Sequence, residues 1–255
     1  MRTKKGGLNV RGLSWVAPKP QWLLRREGEA YMVGEEERHG LGTGVIACIG
    51  SARSGKTTLA LQFMYGSDRD LVFIGFTEAY IEALPKAMRR RARIVAFDEL
   101  ETIENCICLL DDSALMLSNR DFQKGFNKIV NRMAGVFSHV GVTLILTSQS
   151  TSGIDIGIMR FCEMSLVCKR FDEVALSFER NEVAPMVLES NAELGRFGFD
   201  KSLYYSIHDR LICAAPTPFW LEESARFDEA RKAALSKPFS LLSQDERRRY
   251  IRGDK

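Results

Sequence analysis

No hydrophobic run in this sequence is long enough to cross a membrane. A membrane-spanning helix needs about 18 or more consecutive apolar residues, and the longest candidates here, such as 142–146, have the length of a strand. The basic N-terminus is not followed by an apolar stretch, so no secretory signal is visible. We therefore expect a protein without an integral membrane span that works in a reducing, cytosolic compartment.

The six cysteines lack the spacing of a metal site or of a secreted disulfide framework. Cys106 and Cys108 form a C-x-C pair on one face of a predicted strand, and no second Cys or His pair completes a four-ligand zinc site. Most of the cysteines lie in apolar runs typical of buried strands, which predicts reduced thiols in the core. The full set is Cys48, Cys106, Cys108, Cys162, Cys168 and Cys213.

Net charge is small, at +3, but it is unevenly placed. Residues 1–30 hold 7 Lys/Arg against 2 Glu, and residues 246–255 hold 5 Lys/Arg against 2 acids. Basic ends suit a polyanionic partner and are also typical of solvated tails, so both interpretations stay open. Hydrophobic residues make up 45% of the chain, enough to bury a core, which argues against a disordered chain.

Strands and helices alternate along the middle of the chain. Apolar runs of strand length, with helical patterns between them, recur at 45–49, 71–75, 93–97, 106–110 and 142–146. This alternation predicts an α/β fold with a mostly parallel central sheet flanked by helices. Weaker strand patterns follow at 164–168, 175–178, 204–207 and 211–213. We expect an irregular basic extension, one α/β domain and a helical basic tail, at 1–40, 41–215 and 216–255.

A glycine-rich loop lies between the first of these strands and a predicted helix. Every fixed position of G-x-x-x-x-G-K-[ST] is matched by Gly50-Ser51-Ala52-Arg53-Ser54-Gly55-Lys56-Thr57. The two glycines permit a backbone path that turns N–H groups onto phosphate oxygens, and the helix directs its positive end at the same anion. The loop and the adjoining Thr58 therefore predict a nucleotide-binding site.

Two side chains of this loop have a definite chemistry. Lys56 can reach the β- and γ-phosphates of ATP, and the Thr57 hydroxyl can ligate Mg2+. ATP and Mg2+ are therefore the expected cofactors.

Two acidic pairs follow apolar strands and compete for the magnesium role. About 25 residues of helical pattern separate Asp111-Asp112 from the next strand, whereas only seven residues follow Asp98, fewer than the ~10–12 of a parallel crossover. Spacing thus favours Asp111 as the magnesium ligand over the pair Asp98-Glu99. Asp112 would orient and deprotonate the attacking water, with a helix N-cap as its alternative role.

The strand at 142–146 runs into four polar residues at the sheet edge where ligands bind in open α/β sheets. Gln149 there is predicted to contact the γ-phosphate or the water, with a plain polar loop as the alternative. In ring ATPases an arginine from one subunit completes its neighbour's site and contributes about 10³–10⁵ in rate. Arg160 is the first candidate for this finger and Arg132 the second, with a surface salt bridge as the alternative for each.

The ordered set of phosphate loop, Asp111-Asp112 after an apolar strand and Gln149 after the next strand resembles the HerA/FtsK superfamily. These are ring-forming, RecA-like P-loop ATPases that translocate DNA. Within the superfamily, the chain is most similar to the genome-packaging ATPases of tailless, membrane-containing viruses and to the poxvirus-type packaging ATPases. The lone motor domain, the Asp-Asp pair and the segment 137–142 carry that similarity. At one position it departs, because Ser138 precedes His139 where the family often has arginine.

The resemblance implies a hexameric or pentameric ring that pulls double-stranded DNA through its pore while hydrolysing ATP. It also implies capsid vertex proteins as partners, and a location in the host-cell cytoplasm or at a virion vertex. The basic cluster Arg89-Arg90-Arg91-Ala92-Arg93 suits the sequence-independent phosphate contacts that a translocase needs. A solvated helix face is the alternative explanation of that cluster.

Three other functions use a similar phosphate loop. A filamentous-phage assembly ATPase of the zonula-occludens-toxin type normally carries a membrane span, which is not visible here. A small-molecule kinase usually needs an arginine-rich lid, and only Arg196 lies in the candidate lid at 181–200. A nucleotide-binding switch with little turnover needs neither Asp112 nor Gln149. The translocase is therefore favoured, and DNA-stimulated turnover separates it from the switch.

Overall fold

The computed structural model describes residues 22–24, 30–32, 43–65, 67–111, 130, 132–133, 135–154, 156–161, 166–177, 179–207 and 210–215. Its strands are β1 Trp22–Leu24, β2 Ala30–Met32, β3 Gly44–Ile49, β4 Asp70–Ile74, β5 Ala92–Ile94, β6 Cys106–Leu110, β7 Thr143–Ser148, β8 Leu166–Cys168, β9 Leu203–Ser206 and β10 Leu211–Ala214. Its α-helices are α1 Lys56–Tyr65, α2 Glu78–Ala83, α3 Lys86–Arg89, α4 Ile156–Phe161, α5 Glu173–Leu176 and α6 Ala184–Gly195. Short 3₁₀ helices cover Phe97–Thr102 and Thr151–Gly153.

The strands form one sheet in the order β2-β1-β10-β9-β8-β3-β7-β6-β4-β5. The six strands from β8 to β5 in this order are parallel to one another, and β9, β10, β1 and β2 extend the sheet by antiparallel pairing. The carboxyl ends of the six parallel strands therefore meet at one edge of the sheet. The mostly parallel α/β sheet predicted from the sequence is confirmed.

The apolar runs are continuous because helices cover both faces of the sheet. Along β3, Val45, Ala47 and Ile49 pack into one core, and Ile46 and Cys48 pack into the other. Helices α1, α2 and α3 contribute to the second core, whereas α4 and α6 contribute to the first. Among the described residues no helix is long and apolar enough to cross a membrane.

The described structure corrects four predictions made from the sequence. β5 ends at Ile94, three residues before the predicted end of that strand. The segment 175–178, predicted as a strand, begins within helix α5 instead, where the Asp172 side chain caps the helix by accepting from the Ala175 N–H at 2.8 Å. Residues 1–40 are not irregular throughout, because β1 and β2 pair as strands of the sheet. The candidate lid at 181–200 contains α6, which buries Val187 and Leu194 against the sheet.

The predicted tail at 216–255 and most of the helical stretch predicted at 113–138 lie outside the described residues. Cys162 lies outside them too, while the other five cysteines are buried and free, as the sequence predicts.

Replacing Ile145 by alanine should destabilise the domain strongly. Ile145 is fully buried in the central strand β7, so the truncation leaves a cavity that costs about 2–5 kcal/mol of unfolding free energy. The matched control is Val174→Ala, at a side chain that is 69% exposed, where we expect a change within about 0.5 kcal/mol. Urea unfolding measures both, and equal midpoints for the two variants would contradict the assignment of β7 to the core.

Candidate nucleotide-binding site

The glycine-rich loop connects β3 to α1 and is held from both neighbouring strands. The Gly50 N–H donates to the Ser148 carbonyl of β7 at 3.2 Å, and the Ser51 N–H donates to the Arg170 carbonyl beyond β8 at 3.0 Å. The Ser51 hydroxyl accepts from the Asp172 N–H at 2.7 Å. Backbone contacts on two sides therefore fix the base of the loop. A phosphate-binding loop needs such support, because its N–H groups must lie at set distances from the phosphate oxygens.

The two motif glycines are required by backbone conformation and by space. Gly50 has φ +150° and Gly55 has φ +94°, values that residues with a side chain rarely adopt. A Cβ on Gly50 would lie 2.8 Å from the Cβ of Lys169 and 2.9 Å from the hydroxyl of Ser54. Any substitution there must therefore displace the loop or its neighbour. Arg53, at the exposed tip beside Ala52, also has positive φ, at 60°.

Lys56 and Ser54 place polar groups within this loop. Lys56 is 8% exposed, and its Nζ donates to the Ser51 carbonyl at 2.9 Å, so the ammonium spans the loop. Among the described residues the buried Ser54 hydroxyl has no hydrogen-bond partner. A buried hydroxyl without a partner calls for an explanation, and a loop shaped around an oxygen-rich ligand provides one. The residues present therefore fit a nucleotide phosphate.

Three oxygen-bearing side chains meet beside the start of α1. The Thr57 hydroxyl donates to both carboxylate oxygens of Asp111, at 2.9 and 3.0 Å, and the Thr147 hydroxyl donates to Oδ1 of Asp111 at 2.6 Å. Oxygen ligands of this kind suit Mg2+, which is commonly bound through one or two carboxylates together with substrate phosphates and water. Among the described residues no cluster of three or more His, Cys, Asp or Glu offers an all-protein metal site. The set thus fits Mg2+ held jointly with a nucleotide.

Of the two competing acidic pairs, the structure brings Asp111 to Thr57. β5, which precedes Asp98 and Glu99, is one of the two outermost strands of the sheet and is separated from β3 by three strands. Asp98 and Glu99 lie in a 3₁₀ helix, where the Glu99 carboxylate accepts from the Ala96 N–H at 2.9 Å.

The spacing argument favoured Asp111 for an incomplete reason. β5 ends at Ile94, so the connection to β6 has room for a parallel crossover. The short connection assumed from the sequence therefore does not exist. Asp112 lies outside the described residues.

Gln149 is the first residue after β7 and is exposed at the carboxyl edge of the sheet. The turn that follows is held by Glu179, whose carboxylate accepts from the Thr151 N–H at 3.0 Å and from the Thr151 hydroxyl at 2.5 Å. Burial raises the pKa of Glu179, and the Thr151 bonds oppose that rise. The Arg180 guanidinium donates to the Ile154 carbonyl at 2.6 Å. The turn after Gln149 is thus tied to the segment that follows α5.

The two candidate arginine fingers differ in what surrounds them. Arg132 is exposed and forms an ion pair with Glu101 of the same chain, which is the surface salt bridge considered from the sequence. Arg160 lies near the end of α4, which packs against β3, and only its backbone is described. Thr58 follows Thr57 on the first turn of α1 and is half-buried.

Sequence reasoning missed three side chains around the site. Thr147 belongs to a run of four polar residues, and only the strand register shows which of them contacts Asp111. Lys169 directly follows an apolar strand, a signal that could have placed it at the carboxyl edge. Glu179 had no signal in the sequence, because its partner Thr151 is 28 residues away.

No family model matches this chain, and no curated protein does. Solved structures do match it. The DNA-packaging ATPase B204 of Sulfolobus Turreted Icosahedral Virus is 14% identical, with a TM-score of 0.45, over 69% of this chain and 98% of that one. The pCW3 conjugation coupling protein TcpA is 11% identical, with a TM-score of 0.48, over 89% of this chain and 73% of that one.

ATPases 2 and 3 of EccC from Thermomonospora curvata are 10% identical, with a TM-score of 0.50. That match covers 92% of this chain, which spans about half (49%) of the EccC chain. The structural neighbours thus include a viral DNA-packaging ATPase, the Type VII secretion ATPase EccC and a conjugation coupling protein. At these identities the likeness shows the fold alone. It is the RecA-like P-loop ATPase fold that the sequence predicts.

Proposed function

We propose that this chain is an ATP-hydrolysing motor that translocates double-stranded DNA, and that its task is to package a viral genome into a preformed capsid. The observation that carries the enzymatic part is the meeting of Thr57, Asp111 and Thr147 beside the phosphate loop. The translocation and packaging parts rest on the resemblance of the motif set and on the exposed arginines described below.

The loop residues bind and orient the triphosphate. Backbone N–H groups of 50–57 and the positive end of α1 face the phosphates, and Lys56 neutralises charge on the β- and γ-phosphates. Thr57 and Asp111 would hold Mg2+, which would neutralise negative charge on the phosphates. In this scheme Thr147 keeps the Asp111 carboxylate turned toward Thr57.

Asp112 and Gln149 act on the attacking water in this proposal. Asp112 accepts a proton from the water as the water oxygen bonds to the γ-phosphorus and the bond to the bridging oxygen breaks, which releases ADP. Gln149 orients the water or contacts the γ-phosphate. Gln149 stands at the carboxyl edge, one residue beyond β7, and its turn is tied to Glu179. A change in the position of Gln149 on loss of the γ-phosphate would therefore be transmitted to the segment after α5.

Two arginines of the basic cluster are committed to the fold. The Arg91 guanidinium donates to the carbonyls of Arg69 and Ala87, at 2.5 and 3.2 Å, and Arg89 donates to the Glu82 carbonyl at 3.1 Å. These contacts attach the cluster to α2, α3 and the approach to β4. Arg89 and Arg91 therefore have a structural role in the fold, whereas the other arginines of the cluster do not share these contacts.

Arg90 and Arg93 remain for a polyanion. Both are exposed. Arg90 lies two residues before the edge strand β5, and Arg93 lies within it. Because Arg90 precedes this parallel strand, it is at the amino edge of the sheet, opposite the phosphate loop. Two arginines at the rim of a ring subunit can contact DNA phosphates without reading sequence. Such contacts suit a motor that must accept any base pair.

In a ring, an arginine from one subunit can complete the nucleotide site of its neighbour. We propose a hexamer or pentamer in which Arg160 reaches the neighbouring γ-phosphate, with Arg132 as the second candidate. Capsid vertex proteins would dock the ring, which would act in the host-cell cytoplasm and at a virion vertex.

Removing the phosphate-site lysine or the proposed base should abolish turnover. We expect Lys56→Ala and Asp112→Asn to lower kcat for ATP by at least about 100-fold, because each removes a group that acts on the transferring phosphate or the water. Phosphate release by the purified protein, with and without double-stranded DNA, measures this. The matched control is Asp98→Asn, which should retain turnover. An active Asp112→Asn with an inactive Asp98→Asn would move the base to the other acidic pair.

Charge reversal at Arg90 or Arg93 should weaken the DNA response. We expect Arg90→Glu and Arg93→Glu to reduce DNA-stimulated turnover and to lower the slope of log affinity against log salt by about one each. Arg210→Glu, a charge reversal at another exposed arginine, serves as the control. Thermal unfolding checks the fold of all three. An unchanged salt slope in both β5 variants would remove this surface from the DNA path.

A finger acting between subunits has a complementation signature. Arg160→Ala and Lys56→Ala should each be inactive alone, whereas mixed rings should regain turnover, because an intact Lys56 site then meets an intact neighbouring Arg160. Arg132→Ala, mixed in the same way, is the control and should be active alone. If the Arg160 mixture stays inactive while the two proteins co-assemble, Arg160 does not act in trans.

A further inference from the structure

Lys169 is a buried lysine beside the phosphate loop. It directly follows β8, and its N–H donates to the Ile49 carbonyl at 2.7 Å, at the point where β3 enters the loop. The residue is 1% exposed. Its Nζ donates to two backbone carbonyls, those of Lys201 at 2.5 Å and Leu203 at 2.7 Å. The side chain thus joins the end of β8 to the turn that enters β9.

The Lys169 side chain runs along the loop from one motif glycine to the other. A Cβ on Gly50 would lie 2.8 Å from its Cβ, and a Cβ on Gly55 would lie 3.3 Å from its Cε and 3.7 Å from its Nζ. Both glycines of the motif therefore face this one side chain. The path of the loop and the position of Lys169 constrain each other, because neither glycine leaves space for the lysine to move closer.

The Lys169 ammonium is buried without a carboxylate partner among the described residues, which disfavours its charged form. A buried ammonium is costly unless it is paired. Among the residues that the structure describes, its hydrogen-bond partners are carbonyls and no carboxylate binds it directly. Burial lowers the pKa of Lys169 to about 8, while Cys48 and Asp200 act in the opposite direction. A core lysine that only joined strands could be replaced by an apolar residue of similar shape without this cost.

We propose that Lys169 is a positioning residue of the nucleotide site, which sets the phosphate loop against the 200–203 turn and places a second positive charge behind it. This inference rests on the proposed nucleotide binding and adds to it a residue outside the motif. Lys56 meets the phosphates from within the loop, whereas Lys169 acts on them through the loop backbone. Loss of Lys169 should therefore weaken binding of a triphosphate more than it slows the chemical step.

The tether and the charge of Lys169 can be separated by pH. A neutral amine keeps two N–H groups, which is the number that the carbonyls of Lys201 and Leu203 require, so deprotonation removes the charge and leaves the tether. The charged or titratable groups that act on Lys169 are Cys48 on β3 and Asp200 on the turn. Lys56 and Asp111 act on the same Cys48 thiol. Burial raises the pKa of Cys48 to about 12, so this thiol stays neutral across the range in which Lys169 titrates.

The sign of each effect follows from the lowered pKa. The cationic form predominates below about pH 8 and attracts the triphosphate, so affinity should fall as pH rises through that value. The free energy of unfolding of the free protein should rise with pH between about 8 and 10.5. Over that range the unfolded state keeps the proton on Lys169 that the folded state has lost. Opposite slopes for affinity and stability are not expected of a lysine with a purely structural role.

The test measures the dissociation constant of the ATP analogue ATPγS, with Mg2+, for the wild-type chain and for the variants Lys169→Met, Lys56→Ala and Thr143→Val. We expect Lys169→Met to raise the dissociation constant by about tenfold or more, the size of one charge-assisted interaction, while kcat at saturating ATP changes by less than about threefold. Affinity of the wild type should fall between about pH 7 and pH 9, and that of Lys169→Met should stay flat. Thr143→Val, at a buried polar residue of the opposite sheet edge, controls for lost stability.

The outcomes distinguish this inference from the proposed function. If Lys56→Ala weakens binding of ATPγS and Lys169→Met does not, Lys169 is structural and the inference is wrong. If neither variant changes the affinity, nucleotide binding at this loop is itself wrong. Should Lys169→Met fail to fold, the wild-type pH profile decides alone, since an affinity that does not fall across that range contradicts a role for the charge.

Discussion

The parallel pairing of β7 with both β3 and β6 is the constraint on which the rest of the site depends. In that register Cys48 lies opposite Thr147 on one side, and Leu110 lies opposite Leu146 on the other. The residue after Leu110 is Asp111, which therefore emerges level with Thr147, and its carboxylate accepts a hydrogen bond from the Thr147 hydroxyl at 2.6 Å. A one-residue slip in either ladder would turn these side chains to the wrong face. Hydrogen-bonded backbone thus positions the acid to which Thr57 donates from α1.

Three polar side chains at the carboxyl edge are tolerated there because each has hydrogen-bond partners from another element. Asp111 accepts from two hydroxyls, Lys169 donates to two carbonyls, and Glu179 accepts from both polar groups of Thr151. Leaving any one unpaired in this interior would cost about 1–3 kcal/mol or more. The loop, the turn after Gln149 and the turn before β9 are therefore locked by neighbouring strands. That rigidity is what holds donors in place for a phosphate before it arrives.

The sequence predicted those features that local chemistry determines. The motif with its glycines, the helix that begins at Lys56 and the apolar strands all follow from residue type and period, and Asp111 follows from its position after β6. Other features depend on long-range pairing that no local pattern encodes. β5 ends early because only Ala92–Ile94 pair with β4. The strand predicted from Ala175 does not begin there, because Asp172 caps the helix Glu173–Leu176. The position of Lys169 after an apolar strand could have placed it at the carboxyl edge, but its partner Lys201 lies 32 residues away, and the partner of Glu179 lies 28 residues away, so neither pairing could be assigned.

The two ends of the sheet would have different tasks in a DNA motor. In the proposed motor, nucleotide chemistry would take place at the carboxyl edge, while Arg90 lies at the amino edge, two residues before the outermost strand β5. Strands of three to six residues rise about 3.3 Å per residue, so the two edges are roughly 10–20 Å apart. No side chain spans that distance to sense both ligands. Coupling would then have to pass through movement of packed elements or through the neighbouring subunit, and the tied turn after Gln149 is the element of this site placed to start it.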